Sequence, residues 1–91
     1  MTDPSGWGVE FTRNAQRDLR RLDPQIRQRV LAGIKGLRDN PPQGDVKRLA
    51  GVEPAEWRLR VGDWRVRLTI DADQHQVVIK RVLPRGRAYR G

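Results

Sequence analysis

The sequence predicts a small single domain of the α+β class, in which an N-terminal strand and an α-helical hairpin pack on an antiparallel β-sheet in the order β-α-α-β-β-β. Three observations lead to this prediction. The chain has 91 residues, which is enough for one hydrophobic core. Apolar residues recur at helical spacing between residues 13 and 38. Residues 56–83 mostly alternate between apolar and polar side chains, as strands do.

The start of the chain divides into a tail and a strand. Residues 1–6 include proline, serine and glycine and are expected to form a flexible tail, so the folded domain is assigned to residues 7–91. From Trp7 to Phe11 apolar and polar residues alternate, which predicts a first strand. We find no internal repeat or linker that would mark a second domain.

Two helices follow, separated by a very short joint. Thr12 is placed to cap a helix from Arg13 to Leu22. Asp23 then caps a second helix, which begins at Pro24 because proline is pre-organised for the first helical position, and which runs to about Arg38. Its two internal glycines are poor helix formers, so we expect close packing against a neighbouring element at those positions.

A loop and then a β-hairpin are predicted next. Residues 39–54 contain three prolines and two glycines, several of them in turn-like combinations, and are assigned to loop. The stretch from Glu56 to Ile70 alternates around Gly62-Asp63, a two-residue connection that suits a type II′ turn because glycine tolerates positive φ. This turn length fixes the register of the hairpin. The expected cross-strand pairs are Val61 with Trp64, Arg60 with Arg65, Leu59 with Val66, and Arg58 with Arg67.

The predicted hairpin has one apolar and one arginine-rich face. Like charges directly opposite each other destabilise a sheet, by about 1 kcal/mol or less per pair. Both arginine pairs of the predicted register have this arrangement. Two interpretations remain open: a polyanion neutralises the arginines, or the face is simply solvated.

A last strand is predicted from Gln76 to Leu83. It follows a turn that includes His75, which is expected to be solvated and not catalytic. Alternation does not settle which face of this strand is buried, because both Val77 and Val78 are apolar and belong to opposite faces.

The charge and cysteine content of the chain favour some classes of partner and site and exclude others. The formal net charge is +8 and sixteen of the nineteen positively charged residues are arginine, which favours a polyanionic partner such as nucleic acid, a ribosome, an anionic membrane surface or an acidic protein. The chain has no cysteine, which excludes thiolate zinc sites and thiol nucleophiles. It also lacks an apolar run that could span a bilayer, and it does not begin like a secretory signal, so a cytoplasmic location is expected.

Four segments cover nearly the whole chain, from about Trp7 to Arg90, and carry its distinctive motifs. They are FTRNAQRDLRRLDPQIRQRVLAGIKGL, NPPQGDVKRLAG, EWRLRVGDWRVRLTID and VVIKRVLPRGRAYR. The most specific motif is R-x-R-x-G-D-W-R, followed near the end of the chain by R-x-x-x-Y. Together these segments resemble the RelE/ParE superfamily of bacterial toxins from type II toxin–antitoxin modules. The resemblance implies a RelE-like fold.

The resemblance also implies an activity and its residues. RelE-like members cleave mRNA in the ribosomal A site, and ParE-like members inhibit DNA gyrase. RelE-like toxins carry basic residues on the central strands, an arginine near the last strand and often a C-terminal tyrosine, and this match favours the nuclease branch. The implied catalytic residues are Arg65, Arg85 and Tyr89. The implied RNA- or phosphate-binding residues are Arg58, Arg60, Arg67 and Lys47.

The predicted reaction needs no metal and no cofactor. A base takes the proton of the 2′-hydroxyl, cations stabilise charge on the phosphoryl oxygens, and an acid protonates the leaving 5′-oxygen. Arginine suits only the second task because it stays protonated. Tyr89 is left with three roles, namely proton transfer, stacking on an unstacked base, or core packing, so the base and the acid stay unassigned.

The resemblance further implies two partners, a cognate antitoxin and the ribosome with its mRNA. Such antitoxins cover the toxin with an amphipathic, often acidic segment. Three alternatives to the nuclease remain: a ParE-like gyrase inhibitor, a catalytically inactive relative that binds RNA or the ribosome, and a general RNA-binding module.

Overall fold

The structure, a computed structural model, describes residues 8–39, 44–51 and 55–86. The predicted α+β class is confirmed, since two helices pack against one sheet. The elements are β1 (Gly8–Phe11), α1 (Arg13–Arg20), α2 (Pro24–Gly36), β2 (Asp45–Arg48), β3 (Trp57–Val61), β4 (Trp64–Asp71) and β5 (Gln76–Pro84). The predicted tail at 1–6, the strand residue Trp7 and the site residue Tyr89 lie outside the described residues.

The sheet has five strands in the order β1-β5-β4-β3-β2. Strands β3, β4 and β5 form an antiparallel meander, and the β3–β4 hairpin has the predicted register. β1 pairs with β5 in parallel, so the sheet is mixed and not wholly antiparallel. The helical hairpin that follows β1 carries the chain across the sheet, which leaves β1 beside the last strand.

The loop predicted for residues 39–54 is wrong at residues 45–48, which form strand β2. Its four residues, Asp-Val-Lys-Arg, are mostly charged and give no strand signal of their own. They become a strand by pairing with β3, where Asp45 lies opposite Arg60 and Lys47 lies opposite Arg58. A short charged strand at the edge of a sheet also resists pairing with other chains.

Both predicted helix caps are present. The Thr12 hydroxyl accepts a hydrogen bond from the Ala15 amide at 3.1 Å, and the Asp23 carboxylate accepts one from the Gln25 amide at 3.1 Å. Each satisfies an amide that the first helical turn leaves without a backbone partner.

The joint between the helices is closed by Arg27, a contact that the sequence did not predict. Its Nε donates to the carbonyl oxygen of Leu19 at 2.8 Å, and its Nη2 donates to that of Leu22 at 2.9 Å. Leu19 belongs to the last turn of α1 and Leu22 follows the helix, in the region where backbone carbonyls no longer have i+4 helical partners. One guanidinium from α2 therefore stabilises the end of α1.

The core lies between the helices and one face of the sheet. The apolar face predicted for the hairpin is the face that packs against the helices. At Gly33 of α2, an added Cβ would lie 2.9 Å from Cγ2 of Val61, which confirms close packing at this glycine. Fully buried side chains of the core include Leu59, Leu68, Ile79, Val30 and Val66. Among the described residues, no helix is long and apolar enough to cross a membrane.

A β-bulge in β5 decides which of its residues are buried. Arg67 pairs with Arg81 and Leu68 pairs with Ile79, so Lys80 is an extra residue. The bulge shifts the alternation by one position, and both Ile79 and Val82 reach the core. Simple alternation therefore could not settle the faces of this strand.

Helix α1 covers the outer edge of β5 beyond the point where β1 ends. Asp18 of α1 is 8% exposed and accepts a hydrogen bond from the Val82 amide at 2.9 Å. Its carboxylate also accepts from Nε of Arg81 at 2.8 Å and from Nη2 at 3.3 Å. These hydrogen bonds from the Arg81 guanidinium, with the attraction of the Asp18 charge, raise the pKa of Arg81 above its already high ordinary value.

Candidate functional site

Basic residues line up across four strands on the face of the sheet that is turned away from the helices. In register they are Lys47 on β2, Arg58 on β3, Arg67 on β4 and Arg81 on β5. We call these four residues the cation row. Directly opposed residues have Cβ atoms about 4.5–5.5 Å apart, so the row concentrates positive charge on a small surface.

Carboxylates of the chain itself neutralise part of this charge. Glu56 forms an ion pair with Arg67 and another with Lys80 at 3.5 Å. Asp18 holds Arg81, as described above. Beside the row, Asp45 pairs with the predicted binding residue Arg60 at 3.3 Å, where both side chains are about half exposed. The opposed arginines are therefore tolerated partly because internal acids offset their repulsion.

Arg65 differs from the other arginines of this face because it is buried, with 6% of its surface exposed. Its Nη1 donates to the carbonyl oxygens of Gly62 at 2.8 Å and Trp64 at 3.0 Å. Its Nε is buried without a hydrogen-bond partner among the described residues. No carboxylate in this part of the chain forms an ion pair with it. Among the described residues, carbonyl dipoles and no carboxylate offset the positive charge of Arg65, which leaves it able to attract an anion.

Arg85 is brought to the same turn by its backbone. The Arg85 amide donates to the Asp63 carbonyl oxygen at 2.7 Å, directly after the end of β5, and the residue is exposed. The two arginines predicted to be catalytic are thus both held by the connection between β3 and β4, although they lie twenty positions apart in the sequence.

The remaining predicted site residues are less closely grouped. Lys47 is exposed on the edge strand β2, Arg58 is partly buried beside it, and Arg67 is partly buried in its ion pair with Glu56. His75 is exposed in the turn before β5, as predicted. The structure brings Arg65 and Arg85 to one turn. It leaves Lys47, Arg58 and Arg67 along the cation row, with Arg60 beside it.

Sequence reasoning missed the role of Glu56 and Asp18. Glu56 precedes β3 and its side chain is 12% exposed, yet it contacts residues 11 and 24 positions away. Asp18 contacts residues more than 60 positions away. Their signal in the sequence is weak, because only the fold brings these acids to their arginines.

Replacing Glu56 by glutamine should release Arg67 for phosphate contact. We expect the slope of log Kd for RNA against log salt concentration to steepen by about 0.7–0.9, as for one added phosphate contact. The free energy of unfolding should fall by about 1–3 kcal/mol, because a partly buried ion pair is lost. Equilibrium binding to a single-stranded RNA at several salt concentrations, with urea denaturation, measures both.

Asp73→Asn is the matched control for this substitution. It removes the same charge from an exposed turn position. The control should change neither the slope nor the stability to a comparable extent. Equal slopes in the two variants would show that Glu56 does not hold Arg67 back from phosphate.

Three solved structures resemble this chain along nearly its full length. The toxin–antitoxin complex RelBE2 from Mycobacterium tuberculosis contains a chain that is 34% identical, with a TM-score of 0.75; the match covers 88% of this chain and 99% of that one. The archaeal RelE–RelB complex from Pyrococcus horikoshii gives 26% identity and a TM-score of 0.74, over 89% and 97%. The RelB–RelE antitoxin–toxin complex from Methanococcus jannaschii gives 25% and 0.70, over 89% and 95%.

The helical hairpin on a five-stranded mixed sheet is shared with these neighbours, and with this similarity it defines a type II toxin of the RelE/ParE superfamily. The family model described as the ParE toxin of the type II toxin–antitoxin system, parDE, matches residues 9–89, and the chain belongs to this family.

Proposed function

We propose that this toxin is a ribosome-dependent endoribonuclease that cleaves mRNA in the A site and thereby inhibits translation. The observation that carries this proposal is the pair of arginines, Arg65 and Arg85, held at one turn beside a row of cations. The similarity to the chains of three RelBE complexes, one of them 34% identical, supports the same branch.

The chemistry is attack of the 2′-oxygen on the adjacent phosphorus. The bond from phosphorus to the 5′-oxygen breaks, and a 2′,3′-cyclic phosphate forms. Arg65 and Arg85 stabilise the negative charge that develops on the phosphoryl oxygens, which guanidinium groups do without proton transfer. Tyr89 is proposed for proton transfer or for stacking on the displaced base. The proposed contacts to the RNA backbone come from Arg58, Arg60, Arg67 and Lys47.

A cognate antitoxin is the proposed protein partner. The three solved neighbours are complexes of a toxin with its antitoxin. A net charge of +8 also suits an acidic partner that masks the basic face before the toxin reaches a ribosome. The proposed site of action is the cytoplasm, where ribosomes translate mRNA.

Primer extension tests the activity. Purified protein is incubated with ribosomes programmed with a defined mRNA, and cut sites are mapped for the wild type, Arg85→Ala and Tyr89→Ala. We expect cuts within the A-site codon for the wild type. Loss of general acid–base help should lower the rate of Tyr89→Ala by about 10²–10⁴-fold if Tyr89 transfers the proton. Absence of cutting by the wild type would contradict the proposal.

A second candidate function is inhibition of DNA gyrase. It is favoured by the family model, which is that of the ParE toxin and spans residues 9–89. A supercoiling assay with purified gyrase separates the two candidates. Inhibition of supercoiling without A-site cutting would establish the second and exclude the first.

A further inference from the structure

The turn between β3 and β4 holds both candidate catalytic arginines through three successive carbonyl groups. Gly62 and Trp64 accept from the Arg65 guanidinium at 2.8 and 3.0 Å, and Asp63 between them accepts from the Arg85 amide at 2.7 Å. All three are direct hydrogen bonds of ordinary length. One short segment therefore fixes a side chain from the start of β4 and the backbone beyond the end of β5.

The conformation of the turn depends on Gly62. Its φ is +57°, in the left-handed region that residues with a Cβ rarely adopt. Among the described residues, an added Cβ would meet Nη2 of Arg29 alone, at 3.7 Å, which is an ordinary van der Waals contact. Replacement of Gly62 is therefore limited by the backbone conformation and not by crowding around a new side chain. Asparagine tolerates this region better than alanine.

From this geometry we propose that the Gly62–Trp64 turn positions the two candidate catalytic arginines and that Gly62 is the positioning residue. The turn sets where the Arg65 guanidinium lies relative to Arg85, and hence whether both can act on one phosphate. This inference rests on the proposed endoribonuclease function for its catalytic consequence. Its structural part, the fixing of Arg65 by the turn, is independent of that function.

A matched pair of glycine substitutions tests the proposal. Gly51 lies between β2 and β3 and has φ +74°, and no atom of the described residues beyond its chain neighbours lies within 4 Å of an added Cβ. Gly51→Ala and Gly62→Ala therefore impose a similar left-handed backbone penalty, but only the second disturbs the arginines. We expect the single-turnover cleavage rate on programmed ribosomes to fall about 10²-fold in Gly62→Ala, since small misplacements of catalytic groups have effects of that size. Gly51→Ala should cleave like the wild type.

Three further measurements separate positioning from general loss of structure. Thermal unfolding should show similar losses in the two alanine variants. The affinity for ribosomes should change little in Gly62→Ala, so that the defect lies in the rate and not in binding. Gly62→Asn should recover most of the lost rate.

Nitrogen-15 NMR of the arginine side chains provides a readout that does not require activity. In the wild type and in Gly51→Ala, the guanidinium N–H signals of Arg65 should exchange slowly with water, because two carbonyls hold Nη1. In Gly62→Ala they should exchange fast. If the exchange rates differ in this way but the wild type does not cleave mRNA, the turn does fix Arg65 and the proposed endoribonuclease activity is wrong. Unchanged exchange, or equal rates for the two alanine variants, would overturn the proposed role of Gly62.

Discussion

Replacing Arg65 by alanine is expected to lower the single-turnover rate of mRNA cleavage by about 10²–10³-fold under the proposed function, the usual loss when one donor to a developing oxyanion is removed. Arg65 is buried, and among the described residues its guanidinium donates to two carbonyl oxygens and forms no ion pair with a carboxylate. A cation that is already desolvated and oriented stabilises transition-state charge without reorganising. The measurement is cleavage on ribosomes saturated with toxin.

Two controls make this result interpretable. Arg13→Ala removes the same charge from the exposed surface of α1 and should leave the rate unchanged. Arg65→Lys keeps the charge but replaces the planar guanidinium by a point donor, and should recover only part of the rate. Thermal unfolding checks that the variants are folded. A folded Arg65→Ala variant that cleaves at the rate of Arg13→Ala would remove Arg65 from the site.

Local patterns predicted the hairpin because its determinants are local. Strict alternation and a two-residue turn leave one register that puts Leu59 and Val66 in the core. The helix caps at Thr12 and Asp23 were predictable for the same reason, since a cap acts on amides two or three residues away.

Elements that depend on distant residues were not predictable in this way. β2 becomes a strand only through pairing with β3, and its charged sequence carries no alternation. The faces of β5 depend on the bulge at Lys80. A bulge changes the phase of the side chains without an obvious change in composition.

The candidate site was predicted in part. The identity of its arginines came from a motif, but the burial of Arg65 did not, because its partners are backbone carbonyls, which every residue has. The acids that offset the basic face were also missed. For the opposed arginines the sequence left two interpretations open, a polyanion that neutralises them or a solvated face, and in the structure Glu56 and Asp45 neutralise part of the charge.

Replacing Asp18 by alanine is expected to lower the free energy of unfolding by about 2.5–4 kcal/mol. The substitution leaves the buried Val82 amide without its acceptor and removes two hydrogen bonds from Arg81. A buried unsatisfied donor costs about 1–3 kcal/mol, and hydrogen bonds to a charged group contribute about 1.5–3 kcal/mol. The lower part of the combined range applies because the Arg81 side chain is 43% exposed and can turn to water. Urea denaturation measures the loss, and the melting temperature should fall by more than about 8 °C.

Two control variants, Asp18→Asn and Asp23→Ala, show which contacts of Asp18 account for the lost stability. Asparagine keeps an oxygen for the Val82 amide but loses the charge, so its loss of stability should be intermediate. Asp23→Ala removes an exposed helix cap and should cost only about 1 kcal/mol.

Because the pKa of Arg81 is raised, the stability gained from its charge is present below the ordinary pKa of arginine and is lost only as the pH rises through the folded value. Arg81 keeps its charge between about pH 6 and pH 9. The part of the stability loss in Asp18→Ala that comes from the lost Arg81 contact should therefore be constant over this range. Equal stability of Asp18→Ala and Asp23→Ala would show that the edge of β5 does not depend on Asp18.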